Sequence, residues 1–115
     1  MLNPENVREW AMSFEEVSEE SHFEKTSFRI RKKIFATMDE KDMHVVLKLN
    51  EIDQSVFVDY DDSIFPVPGA WGKKGWTKVD LTKVRADLFQ DALTTAYRTV
   101  APKKLANKYK PKEEE

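Results

Sequence analysis

Chemistry in this chain has few places to reside, because Cys is absent and only His22 and His44 carry imidazoles. Neither His stands in a paired helical spacing, so a transition-metal site would need carboxylates to complete it. Without Cys there are no disulfides, no thiol catalysis and no thiolate metal ligands. Asp59-Tyr60-Asp61-Asp62-Ser63 offers oxygen ligands, but the sixth position of a calcium loop falls on Ile64, where a Gly is required. Gly69-Ala70-Trp71-Gly72-Lys73-Lys74-Gly75 superficially resembles a phosphate cradle. It lacks the Gly-x-Gly-x-x-Gly spacing and leads into a strand, whereas a phosphate loop presents its N–H groups at a helix N-terminus. A Gly-x-Ser-x-Gly elbow is missing too. These absences predict a protein that is not an enzyme, with no catalytic residue, no metal ligand and no cofactor.

What remains is cationic. Lys25, Arg29, Arg31, Lys32 and Lys33 lie on or beside one predicted hairpin, and Lys73, Lys74 and Lys78 surround Trp71 and Trp76. Lys and Arg neutralise phosphates, and an exposed aromatic ring stacks on a base or wedges between base steps. The plainer alternative is that Trp71 and Trp76 cap the core and the cations form a solvated face.

The 115 residues support one domain, expected over residues 1–108 with a flexible tail at 109–115. Net charge is -2, which argues against a strongly basic nucleic-acid binder, yet the charge is segregated. Residues 1–24 hold seven Glu against Arg8 alone, and residues 51–65 carry five acids and no cation. Residues 25–50 balance seven cations against three acids, and 66–86 balance five against one. An apolar run of about 18 residues is lacking, so no membrane span is expected. The opening residues have no signal-like character, and together with the missing Cys this suits a cytoplasmic protein.

These groups must be positioned by elements that the apolar spacing outlines. Asn3-Pro4 is a helix start, followed by Val7, Trp10, Ala11 and Phe14 on one face. Phe14–Glu24 has no clean period and reads as a connection. From Lys25 the period becomes two: Thr26, Phe28 and Ile30 oppose Lys25, Ser27, Arg29 and Arg31. Ile34–Met38 and the alternation of Val45, Leu47 and Leu49 with His44, Val46 and Lys48 complete a three-stranded meander. Neither hairpin turn contains Gly, which disfavours the tightest two-residue turns. Ile52, Val56 and Tyr60 suggest a short helix over residues 51–60, and the two prolines of Phe65–Gly69 exclude a central strand. The three glycines, Gly69, Gly72 and Gly75, mark a loop with unusual backbone angles or close approach. A strand at Trp76–Leu81 and a strongly periodic helix from Leu88 to Val100 follow, then a short turn from Pro102 to Leu105. This order predicts an α+β two-layer sandwich: an antiparallel sheet with N- and C-terminal helices packed on one face.

The residues also carry a resemblance. Ser21-His22-Phe23-Glu24-Lys25-Thr26-Ser27-Phe28-Arg29-Ile30, Lys33-Ile34-Phe35-Ala36 and Leu47-Lys48-Leu49 are similar to the MmcQ/YjbR family, as are Phe65 to Gly72, Gly75-Trp76-Thr77 and Tyr97 to Leu105. The likeness spans about residues 3 to 105. It implies a frataxin-like (CyaY-like) sandwich and a DNA-binding role through a double wing of loops, with no catalytic residues. Arg31, Lys32 and Lys33 map to one wing, and Lys73 and Lys74 to a second. Two departures stand out: Phe14-Glu15-Glu16 replaces a frequent Leu-Pro-Gly, and Lys32 replaces a Gly. The expected function is therefore DNA binding by largely sequence-nonspecific phosphate contacts. The alternative is a metal- or protein-interaction module that uses the acidic segment carrying Glu5, Glu9, Glu15, Glu16, Glu19 and Glu20; a small-ligand site near Trp71 and Trp76 is a third possibility.

Overall fold

The computed structural model describes residues 2–110. Helix α1 (Pro4–Met12) starts at the expected cap: Asn3 accepts from the Asn6 N–H at 2.8 Å, and the Asn6 side chain returns a contact to the Asn3 N–H. Its Val7 and Ala11 are buried, and Trp10 meets Phe89 at 5.9 Å between ring centroids. Four strands follow, β1 (Val17–His22), β2 (Lys25–Ile30), β3 (Lys33–Asp39) and β4 (His44–Lys48). Next come α2 (Glu51–Tyr60), β5 (Ile64–Pro66), the single turn α3 (Ala70–Lys73) and β6 (Trp76–Asp80). The long helix α4 (Ala86–Val100), α5 (Lys103–Ala106) and a 3-10 turn at Asn107–Tyr109 close the described chain.

The sheet is antiparallel throughout, in the order β1-β2-β3-β4-β6-β5. Phe28, Ile30, Ala36, Met38, Val45, Leu47 and Val79 turn their side chains to the helix-covered face and are buried. Helix α4 packs over β3 and β4, presenting Leu88, Phe89, Ala92, Leu93, Ala96 and Tyr97. Each large apolar side chain buried in this way contributes roughly 1.5–3 kcal/mol. The α+β two-layer sandwich is thus present; burial along β4 follows the period of two, whereas in β2 Ser27 is buried as well as its neighbour Phe28.

Three elements differ from the sequence reading. Residues Val17–His22 form β1, an edge strand and not a connection; its Ser18, Glu19, Glu20 and Ser21 are exposed, so no apolar period betrays it. The β2–β3 connection is a two-residue turn even without Gly, because Ile30 pairs with Lys33 and leaves only Arg31 and Lys32 between them. Finally, α2 lies where expected, but Ile52, Val56 and Tyr60 point to solvent; half-buried Phe57 and Gln54 attach it. Pro66 sits in the opposite edge strand, β5, where its missing N–H is tolerated.

At the C-terminal end, Tyr109 packs its ring on Phe14 at 5.0 Å and Tyr97 at 5.2 Å. Tyr109, in the segment expected as a tail, is thus packed against the core; residues 111–115 lie outside the described residues. Among the described residues, no helix is long and apolar enough to cross a membrane.

Candidate nucleic-acid interface

The β2–β3 turn places cations at the tip of a hairpin by an unusual backbone. Arg31 and Lys32 have φ of 48° and 75°, both in the left-handed region that a two-residue hairpin of the mirror-image type requires. That region crowds the Cβ of an L-residue at roughly 1–2 kcal/mol each. Arg31 donates to Glu16 through Nε at 2.9 Å and Nη2 at 3.2 Å. This two-pronged pair holds the Glu16 carboxyl below its usual range and raises Arg31 above its own. Arg29 donates to Ser27 Oγ at 3.0 Å and stands 3.7 Å from a Glu20 oxygen. Both guanidiniums are therefore taken up by carboxylates on or next to β1. Lys32 and Lys33 are exposed and have no carboxylate within ion-pair reach among the described residues.

The glycine loop reaches its shape by close approach. At Gly75 (φ 103°) a Cβ would lie 1.8 Å from the Leu49 carbonyl oxygen, and at Gly72 one would lie 2.0 Å from that of Val67. These contacts allow the Leu49 N–H to donate to the Gly75 carbonyl at 2.9 Å. Gln54 Nε2 fastens the loop to α2, donating to the Gly72 and Trp76 carbonyls and to Thr77 Oγ1 at 2.9, 3.2 and 3.0 Å. Lys48 donates to the Lys74 carbonyl. Lys74 Nζ lies 5.4 Å from the Trp71 ring centroid and Lys48 Nζ 5.6 Å from that of Trp76. Trp71 is 60% exposed, so the core-capping alternative does not describe it, whereas Trp76 is half-buried.

Register decides whether the two segments meet. Lys33 is the first residue of β3, Lys48 the last of β4 and Trp76 the first of β6, and β4 lies between the other two. The Arg31–Lys33 turn and the Lys73–Gly75 loop consequently share one end of the sheet. They are two strand spacings apart, about 10 Å. Lys48, which the sequence reading left out, fills the gap; its signal was the polar phase of the His44–Leu49 alternation.

Lys25 and Lys78 are placed differently. Lys25 pairs with His22 at the far end of β2, and Lys78 pairs with Val46 and Phe65 in mid-sheet. They line a groove of about 190 Å³ on the open sheet face with Thr37, Asp39, Asp42 and His44. That groove mixes charges, and the buried Nδ1 of His44 has no hydrogen-bond partner there.

The class of protein is thereby defined: an antiparallel α+β sandwich with helices on one sheet face and a lysine- and tryptophan-bearing sheet end. The YjbR family model matches residues 12–99, and the chain belongs to the YjbR family. Among solved structures it is similar to Deinococcus radiodurans protein DR2400, of domain DUF419. The TM-score is 0.76 at 20% identity, covering 95% of this chain and 88% of that one. A protein from Pseudomonas syringae matches with TM-score 0.65 at 12% identity, covering 87% of this chain and 100% of that one. At such identities the likeness concerns the fold alone. A search of curated proteins finds no match.

Proposed function

We propose that this protein binds DNA without catalysis, gripping the phosphate backbone with Lys32, Lys33, Lys48, Lys73 and Lys74. The observation that carries this reading is the convergence of the hairpin turn and the glycine loop on one sheet end, with exposed Trp71 beside them. Such contacts are sequence-nonspecific, because phosphates repeat regardless of base. Trp71 adds a stacking platform for an unpaired base. Arg29 and Arg31 serve mainly to order the hairpin, since their charge is already shared with Glu20 and Glu16. The family resemblance, with its frataxin-like layout and winged DNA contact, supports the same reading.

The acidic N-terminal segment favours a metal or protein partner less. Glu5 and Glu19 converge on Arg8 together with Glu40, and Glu15 engages Lys108 at 2.7 Å.

Fluorescence anisotropy with labelled duplex and single-stranded DNA over a salt series tests the proposal. Logarithmic affinity should fall linearly with logarithmic salt, and Lys32→Ala with Lys33→Ala should reduce that slope by about 2 for duplex. Absence of binding to both forms at low salt, or an unchanged slope in the double variant, overturns it.

A further inference from the structure

Helix α2 presents its apolar stripe outward. Ile52, Val56 and Tyr60 recur every fourth residue and are 76%, 58% and 68% exposed, and no residue of the helix is fully buried. An aligned apolar stripe on a solvent face is a mark of an interaction site, unlike single scattered apolar residues. Beside it lies a groove of about 250 Å³ between α2 and the start of α4, lined by Val56, Phe57, Tyr60 and Leu88 and rimmed by Asp87 and Asp91. The stripe and groove together have the form that receives one apolar face of a helix.

Charge selects the occupant. Residues 51–65 carry five carboxylates and no cation, and Asp87 and Asp91 add two across the groove. The cation at the groove, Arg85, is held by Asp87 at 2.7 Å. A polyanion is repelled here. A second copy pairing through the same face would set these acids against their own equivalents, since a two-fold interface matches a patch with itself. We propose that α2 and the start of α4 form a docking surface for a basic amphipathic helix of a partner protein. Its apolar residues would seat on Ile52, Val56 and Tyr60, and its flanking Lys and Arg would face the acidic rim.

The probe is a synthetic helical peptide with Leu at i, i+3, i+4 and i+7 and Lys or Arg elsewhere, titrated into the full chain by anisotropy. It should bind, and Val56→Glu should weaken it roughly tenfold or more, as truncation at the centre of an interface does. Both Val56 and Ile52 are exposed, so Val56→Glu and Ile52→Ser should keep the melting temperature and act alike on binding. Three results overturn the proposal: no binding, equal binding by both variants, or equal binding by a peptide with Ser replacing every Leu, which would mean charge alone. Sedimentation showing a dimer that Val56→Glu dissociates would assign the face to a second copy and overturn it as well. The outcome is independent of DNA binding, which uses the opposite charge.

Discussion

The β2–β3 turn and the glycine loop deliver cations to the same sheet end by opposite means. The turn adopts a glycine-like backbone with Arg31 and Lys32, and Arg31 is steadied from outside by Glu16. The loop uses Gly72 and Gly75 where no side chain fits, and holds its lysines through backbone contacts to β4 and α2. The hairpin thus accepts strain in exchange for charge, whereas the loop owes its geometry to missing Cβ atoms. Substituting the turn should be tolerated or even stabilising; substituting the loop should not.

The largest break in that comparison is Gly75→Ala. Its Cβ would meet the backbone oxygen of Leu49, which has no rotamer to escape into, at a φ that L-residues rarely adopt. Urea unfolding should report a loss of roughly 3 kcal/mol or more. A near-neutral result would mean that the loop is not held against β4.

Next in size is Tyr97→Phe, which tests what supports the hairpin from the core. Tyr97 stacks on Phe14 at 4.6 Å and donates its hydroxyl to the Glu15 carbonyl at 2.8 Å, fixing the residue that precedes Glu16. Losing that bond should cost about 1 kcal/mol at neutral pH. Burial pushes the Tyr97 phenol up to about 12, with the neighbouring Tyr109, Glu15 and Glu16 adding to it. The native state therefore holds the proton more tightly than the unfolded chain does. Its contribution is complete below pH about 10 and is lost as pH rises towards 12, so native stability falls across that window. In the Phe variant this part of the alkaline decline should vanish, which pH-dependent unfolding curves would register.

Lys32→Gly sharpens the contrast directly. Relieving one left-handed residue should stabilise the fold by about 1 kcal/mol, seen as a higher melting temperature. It should also reduce the salt slope for duplex DNA by about 1. Gly is the unstrained choice at a left-handed position, and the present chain has a cation there instead.

The same contrast explains what the sequence made legible. Period and capping placed α1, β2, β4 and α4, because each buries one regular apolar face. Strand β1 escaped notice because an edge strand of Ser and Glu gains its stability from backbone pairing with β2, which leaves no trace in hydropathy. The tight β2–β3 turn was hidden because ion pairing and strand pairing outweigh a local preference for Gly. Ile52, Val56 and Tyr60 did announce a helix, but periodicity cannot say which side of a stripe is wet. At the site, charge clustering brought out the lysines of the turn and loop. It could not show that Lys25 and Lys78 occupy another part of the sheet, or that Lys48 joins the two segments, since strand order alone sets those neighbours.

The smallest expected effect separates charge from scaffold. Glu16→Gln removes one carboxylate from Arg31 at an exposed pair, where ion pairing contributes little to stability. The melting temperature at neutral pH should hardly move. Because Arg31 lowers the Glu16 carboxyl, the pair favours the native state above the ordinary carboxylate range and fades as pH falls through it, so the wild type alone should show that slight acid dependence. The guanidinium, released from its partner, becomes available to a phosphate two strands from Lys74. DNA affinity at low salt should therefore rise, with a salt slope steeper by about 1. Anisotropy of the variant beside the wild type would measure both quantities. If affinity falls instead, the Glu16 clamp is needed to present the hairpin, and the turn contributes by its shape more than by its charge.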